Sequence, residues 1–213
     1  YEGFRRRLMD LADLLRTVNL QTFIAFDFET TGLDPSIDKI TEFAAVKFKD
    51  GKAVDSFQTL VNPEQPIPIN VVRKTGISDE MVRGAPKAEQ VTENVFEFIG
   101  DFPIVAHNLP FDLSFLNNLK QTHLSGKVDN EGYDTVPLAQ ALLFFLPNHQ
   151  LGTIGEYLGI ASDSAHRALA DTEIVGTLFL ELIREAASYP LKAVSYTHLR
   201  AHETEAELVC RLL

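Results

Sequence analysis

Four carboxylates and one histidine in this chain have the types and spacings that chemistry would need. Asp27 and Glu29 sit two apart in Phe26-Asp27-Phe28-Glu29-Thr30-Thr31-Gly32, at the end of an apolar run, Phe23-Ile24-Ala25-Phe26. The others fall in His107-Asn108-Leu109-Pro110-Phe111-Asp112 and in His166-Arg167-Ala168-Leu169-Ala170-Asp171. Side chains two apart on a strand share a face, so the strand predicted at 22–29 carries two carboxylates side by side. Paired carboxylates on a buried face repel each other and are costly to desolvate. A hard divalent cation with oxygen ligands relieves both costs.

The other two clusters repeat the argument on helices. After Asp171 the apolar residues Ile174, Val175, Leu178, Leu182 and Ile183 follow a helical period. Asp171 therefore lies on or beside the core-facing stripe. Asp112 stands three and four before Phe115 and Leu116, again beside a buried stripe. For Asp112 alone, a helix cap or first-turn dipole partner is an alternative. Four inward acids from three segments would each need a separate structural excuse.

The order Asp-x-Glu, Asp, His-x4-Asp resembles the DEDDh group of DnaQ-like 3′→5′ exonucleases over roughly residues 20 to 190. Thr30-Thr31-Gly32-Leu33, Lys74-Thr75-Gly76-Ile77-Ser78 and Asn148-His149-Gln150-Leu151 are similar to the family too. Pro110 departs from it, where a small residue is more usual, but proline suits a first helical turn. The resemblance implies an RNase H-like α/β fold, a mixed five-stranded sheet flanked by helices. It implies two Mg²⁺ or Mn²⁺ ions, held by Asp27, Glu29, Asp112 and Asp171, with Asp27 shared between them. His166 would be the general base, its ordinary pKa of about 6.5 suited to neutral pH. Because His166 and Asp171 are five apart, about 140° around one helix, His166 is expected at the helix start or on the loop before it. His107 and Asn108 either touch the terminal nucleotide or only organise the turn. Thr30, Leu33 and Phe111 flank the acids and are candidates for contact with the terminal base or sugar; each is also a plausible core residue.

The implied substrate is a single-stranded DNA 3′ end, cut to nucleoside 5′-monophosphates. An enzyme trimming short RNA ends and a catalytically silent binding module are the competing readings. The domain would be free-standing, or joined to a DNA polymerase or helicase. A net charge of −11 argues against a long basic groove but not against a small pocket whose cations reverse the local sign. The chain has ordinary globular composition, 45% hydrophobic and 23% charged. No run approaches a membrane span. The single Cys210 and the lack of a signal-like stretch point to a cytoplasmic setting. Tyr1 in place of Met marks an expected fragment.

The pattern divides into an N-terminal helix or linker, 1–20, a catalytic domain, 21–190, and a tail, 191–213. The tail segment Ser195-Tyr196-Thr197-His198-Leu199-Arg200-Ala201-His202-Glu203-Thr204 resembles a translated sequencing adapter and is set aside from the fold. Strands are predicted at 22–29, 40–49, 53–61 and 104–106, the second and third joined by a hairpin at Asp50-Gly51. Helices are predicted near 4–18, 69–75, 88–100, 110–120, 135–144, 151–158 and 165–187. Asp134 reads as a helix cap.

Overall fold

A computed structural model of the protein describes residues 10–159 and 168–188. Its centre is a five-stranded sheet in the order β3-β2-β1-β4-β5. The strands are β1 (Thr22–Thr30), β2 (Ile40–Lys49), β3 (Lys52–Leu60), β4 (Ile104–Ala106) and β5 (Gly132–Asp134). The first three form an antiparallel meander, and β4 and β5 add in parallel beside β1. The meander follows from the sequence: Asp50 and Gly51 both take positive φ, 49° and 79°, the backbone a two-residue hairpin needs.

The helices are α1 (Leu11–Thr17), α2 (Ile69–Thr75), α3 (Asp79–Val82), α4 (Ala88–Ile99), α5 (Leu109–His123), α6 (Thr135–Leu142), α7 (Leu151–Leu158) and α8 (Ala168–Ser188). They cover both faces of the sheet. On one face Ile24, Phe26, Phe28, Phe43 and Ala45 pack under α4 and α5. On the other, Phe23, Ala25, Val46 and Phe48 pack with α1, α6, α7 and α8. Leu15 of α1 is fully buried in this second core.

The expected mixed α/β fold is present, with two differences in detail. β5 was not foreseen, because three residues, Gly132-Tyr133-Asp134, are too short to show alternation. The one-turn α3 was missed for the same reason. Of the helices expected near 4–18 and 165–187, residues 4–9 and 165–167 lie outside the described residues.

α8 approaches the sheet closely because Gly176 has no side chain. A Cβ built there would overlap the ring of Phe48 on β2. In an exposed helix, Gly→Ala stabilises by up to about 1 kcal/mol. Here the sign should reverse: Gly176→Ala is expected to destabilise by about 1–3 kcal/mol through overpacking, read as a lower denaturation midpoint. An unchanged or higher midpoint would contradict this packing.

Candidate active site

The β1–β2 register explains how an acidic site grows out of a core. On the face that meets α8, the cross-strand pairs run Phe23/Phe48, Ala25/Val46, Asp27/Ala44 and Glu29/Glu42. The first pair is stacked, with ring centroids 5.0 Å apart. The same face is thus greasy at one end and carboxylate at the other. α8 runs along it in matching order. Asp171 lies in its first turn, and Phe179, two turns on, meets Phe23 edge-on at 5.2 Å. Asp171 adds its charge to Asp27 and Glu29.

Asp112 arrives from the other layer. β4 ends at Ala106 and the chain turns into α5 at Leu109. The Phe28 N–H therefore has no longer strand to bond, and it donates to Asp112 Oδ1 at 3.1 Å. Asp112 is 2% exposed. The turn into α5 uses Asn108 in the left-handed region, φ 75°, with Pro110 in the first turn as expected.

Burial and mutual charge push these acids towards protonation. Asp27 is raised well above the usual carboxylate range, first by burial and then by Asp112, Glu29, Asp171 and Glu42. Burial lifts Glu29 to about 7, with Glu42 and Asp171 adding to the rise and Lys74 opposing it. Burial lifts Asp112 to about 8, against the N–H groups of Phe28 and of Asp112 itself. An all-oxygen donor set held under such strain suits a hard divalent cation. Among the described residues, however, no three His, Cys, Asp or Glu side chains form a ready metal-holding group. The chemistry of the donors fits a cation, and their spacing does not form a closed cage.

His107 is fully occupied by the protein. Its Nδ1 lies 2.8 Å from Thr135 Oγ1 and its Nε2 lies 2.9 Å from the His149 carbonyl. Burial lowers its pKa, which favours the neutral ring. A carbonyl only accepts, so Nε2 carries the proton and Nδ1 faces the Thr135 hydroxyl, whose one proton it shares with the Ala106 carbonyl 3.3 Å away. Asp134 caps α6 as expected, accepting from the Val136 N–H at 2.9 Å. It also accepts from the Asn108 N–H at 3.0 Å, which ties α6 to the turn before α5.

Among the other sequence-derived candidates, the Thr30 hydroxyl is buried and donates to the Gly32 carbonyl at 2.5 Å. Leu33 is 82% exposed. Phe111 is half-buried beside Phe115, ring centroids 5.2 Å apart. Asn108 is exposed. His166 lies outside the described residues.

Two site residues escaped the sequence reading. Glu42 is 2% exposed, stands opposite Glu29, and accepts from Gln58 Nε2 at 2.8 Å. Its alternation with Ala44 and Val46 carried the signal. Lys74, at the end of α2, is a cation that acts on Glu29, and only the tertiary placement of α2 reveals it.

The profile of the exonuclease family (RNase T) matches residues 24–179. The chain belongs to this DnaQ-like family of 3′→5′ exonucleases. It is 40% identical over 164 residues to the PolC-type DNA polymerase III of Halalkalibacterium halodurans, covering 77% of this chain and 11% of that polymerase. It thus spans about a ninth of that relative's length. Among solved structures, Exonuclease X in complex with 5′ overhanging duplex DNA aligns with a TM-score of 0.63 and 26% identity, covering 76% of this chain and 90% of the other. E. coli Exonuclease I in complex with a dA16 oligonucleotide shares the fold at a TM-score of 0.67 and 17% identity, covering 88% of this chain and 45% of that one.

The raised pKa values have a consequence for stability. A carboxyl whose folded pKa lies above its unfolded value of about 4 stabilises the fold fully below that value. The contribution is lost as pH rises through the folded value, here through about 7 for Glu29 and about 8 for Asp112. The metal-free protein should therefore melt lower at pH 8 than at pH 5, and Asp27→Asn should shrink that gap. A gap of the same size in Asp27→Asn would contradict the repulsion described.

Proposed function

We propose that this chain is a divalent-metal-dependent exonuclease that hydrolyses phosphodiester bonds at single-stranded DNA 3′ ends and releases nucleoside 5′-monophosphates. The observation that carries this is the convergence of Glu29 and Asp171 with Asp27 on one face of the sheet and of buried Asp112 from the opposite layer, the other three each raising the pKa of Asp27. Asp27 lies at the centre of that repulsion, since all the other acids act on it. These four would hold Mg²⁺ or Mn²⁺, two ions sharing Asp27, as the family resemblance implies. Held by these four carboxylates, such ions would supply positive charge at the phosphate.

The chain's own residues supply the rest. His166 takes a proton from the attacking water as general base. Lys74 places a positive charge beside Glu29, where a phosphate approaching an acidic site needs one. Leu33, exposed on the loop after β1, meets the terminal nucleotide, and Thr30 holds the start of that loop. Both rings of the Phe111/Phe115 pair keep core contacts; Phe111, half-buried, keeps a face available for stacking. The neutral, doubly bonded His107 organises the turn that presents Asp112, and exposed Asn108 remains available to the strand end. The single-stranded reading is supported by the oligonucleotide held by Exonuclease I. Relatives of the PolC type support a proofreading role within a polymerase. Among the described residues no helix is long and apolar enough to cross a membrane.

Digestion of matched labelled single-stranded DNA and RNA oligomers tests the proposal. DNA should shorten stepwise from its 3′ end with Mg²⁺ or Mn²⁺ and stop with chelator. Faster cutting of the RNA would move the substrate to RNA. Asp27→Ala should abolish cleavage. His166→Ala should lower turnover by roughly 10²–10⁴ fold while leaving Mg²⁺ binding, followed by calorimetry, unchanged. Recovery of His166→Ala at high Mg²⁺ would refute the general-base role.

A further inference from the structure

The loop between β1 and β2 is closed around one buried hydroxyl. Thr31 is 2% exposed. A threonine hydroxyl has one proton to donate and two lone pairs to accept with. Here it donates to Asp38 Oδ1 at 3.4 Å and accepts from the Lys39 N–H at 2.9 Å and from Gln65 Nε2 at 2.8 Å. All its capacity is used. The Thr31 N–H also donates to the Lys39 carbonyl at 2.8 Å, so the neck of the loop is bonded twice.

Asp38 reaches further into the loop. Its Oδ2 accepts the Asp34 N–H at 2.9 Å. A Cβ built at Gly32 would overlap this carboxylate. Gly32 is not among the glycines with positive φ, so the requirement there is for space and not for unusual backbone freedom. Glycine at 32 and the carboxylate at 38 therefore depend on each other.

Gln65 brings in a second loop, itself stiffened by Pro63 and Pro66. The Asn62 N–H donates to the Pro86 carbonyl at 2.9 Å, the Glu64 N–H to Asn62 Oδ1 at 2.9 Å, and Glu64 pairs with Lys87 at 2.5 Å. The loop that leaves the acidic end of β1 is thus clamped from within by Asp38 and from outside by Gln65. It still leaves Leu33 almost fully in solvent.

We infer that Thr31 and Asp38 are positioning residues for strand-end binding: their clamp fixes the Thr30–Leu33 segment in the shape that meets the terminal nucleotide. This rests on the reading of Leu33 as a substrate contact. The acids stand on β1, α5 and α8, and the hydrogen bonds of the clamp run instead to Lys39, Asp34 and Gln65. Its loss should therefore loosen substrate binding without touching the chemistry.

The experiment is steady-state kinetics on a single-stranded DNA oligomer, with the Mg²⁺ activation midpoint and melting temperature recorded for each variant. Asp38→Ala, Gly32→Ala and Thr31→Val should each raise KM about tenfold, the scale of a lost hydrogen-bonded anchor. kcat and the Mg²⁺ midpoint should stay at parental values. Thr31→Ser, which retains the hydroxyl, should stay near the parental KM even if the harsher variants fold poorly, whereas Asp38→Asn, which keeps only one of the two acceptor oxygens, should fall between the parent and Asp38→Ala. The Gly32→Ala/Asp38→Ala double variant should be no worse than either single one, because both remove the same carboxylate from the same place.

Additive effects in the double variant, or a fall in kcat with unchanged KM, would overturn the inference. So would an unchanged KM in Asp38→Ala and Gly32→Ala when Leu33→Ala raises it, and that result would leave the proposed function standing. A parent that degrades no DNA would overturn the proposed function and the clamp with it; an active parent with an indifferent Leu33→Ala would overturn the substrate contact and the clamp's role in binding, and leave the exonuclease reading standing.

Discussion

The structure is organised around one electrostatic constraint: several carboxylates must share a small, poorly solvated space. A buried carboxylate resists ionisation, and each like charge nearby adds to that resistance. Asp27, Glu29 and Glu42 project from one face of the sheet, Asp171 from the helix above it, and Asp112 from the opposite layer. No solvated arrangement of a single-domain chain would gather them by chance. The arrangement is tolerable in the metal-free state because the acids can take up protons, and a cation bound there would take the place of those protons.

The cost of that gathering is met by the rest of the same sheet face. Beyond Asp27 and Glu29 the ladder continues as Ala25/Val46 and then as stacked Phe23/Phe48, which Phe179 closes from α8. Burial of such rings and aliphatic chains is worth roughly 1.5–3 kcal/mol each, enough in sum to hold α8 down although its first turn brings Asp171 to a like-charged site. Gly176 lets α8 sit low on Phe48. The site is therefore the last stretch of a core surface on which polar residues replace apolar ones.

Three segments at the same end of the sheet brace this surface. The β4–α5 turn, the β5–α6 junction and the segment before α7 are joined through His107, Asp134, Thr135 and the His149 carbonyl. The β1–β2 loop is joined to the proline-rich loop through Thr31 and Gln65. Rigid support of this kind is what positions reacting groups. It also reconciles a chain of net charge −11 with a phosphate substrate. Grip would come from bound cations, from Lys74 and from shape, and a long basic groove is not required.

Much of this was legible in the residues themselves. The two-residue spacing of Asp27 and Glu29 placed them on one face because strand alternation is a local property of the backbone. The helical period after Asp171 placed that acid over the core for the same kind of reason, and Asp50-Gly51 specified its hairpin through the φ values it tolerates. Asp134 announced itself as a cap. Tertiary structure alone decided the partnerships between segments distant in sequence. Examples are the bond from the Phe28 N–H to Asp112, the position of Lys74 beside Glu29, the occupation of both His107 nitrogens, and the clamp of Asp38 and Gln65 on Thr31. β5 was invisible because its pairing with β4, and not its three residues, makes it a strand. Local spacing determines which way a side chain points; what it meets there depends on how the chain returns, and that is set by the packing of the whole domain.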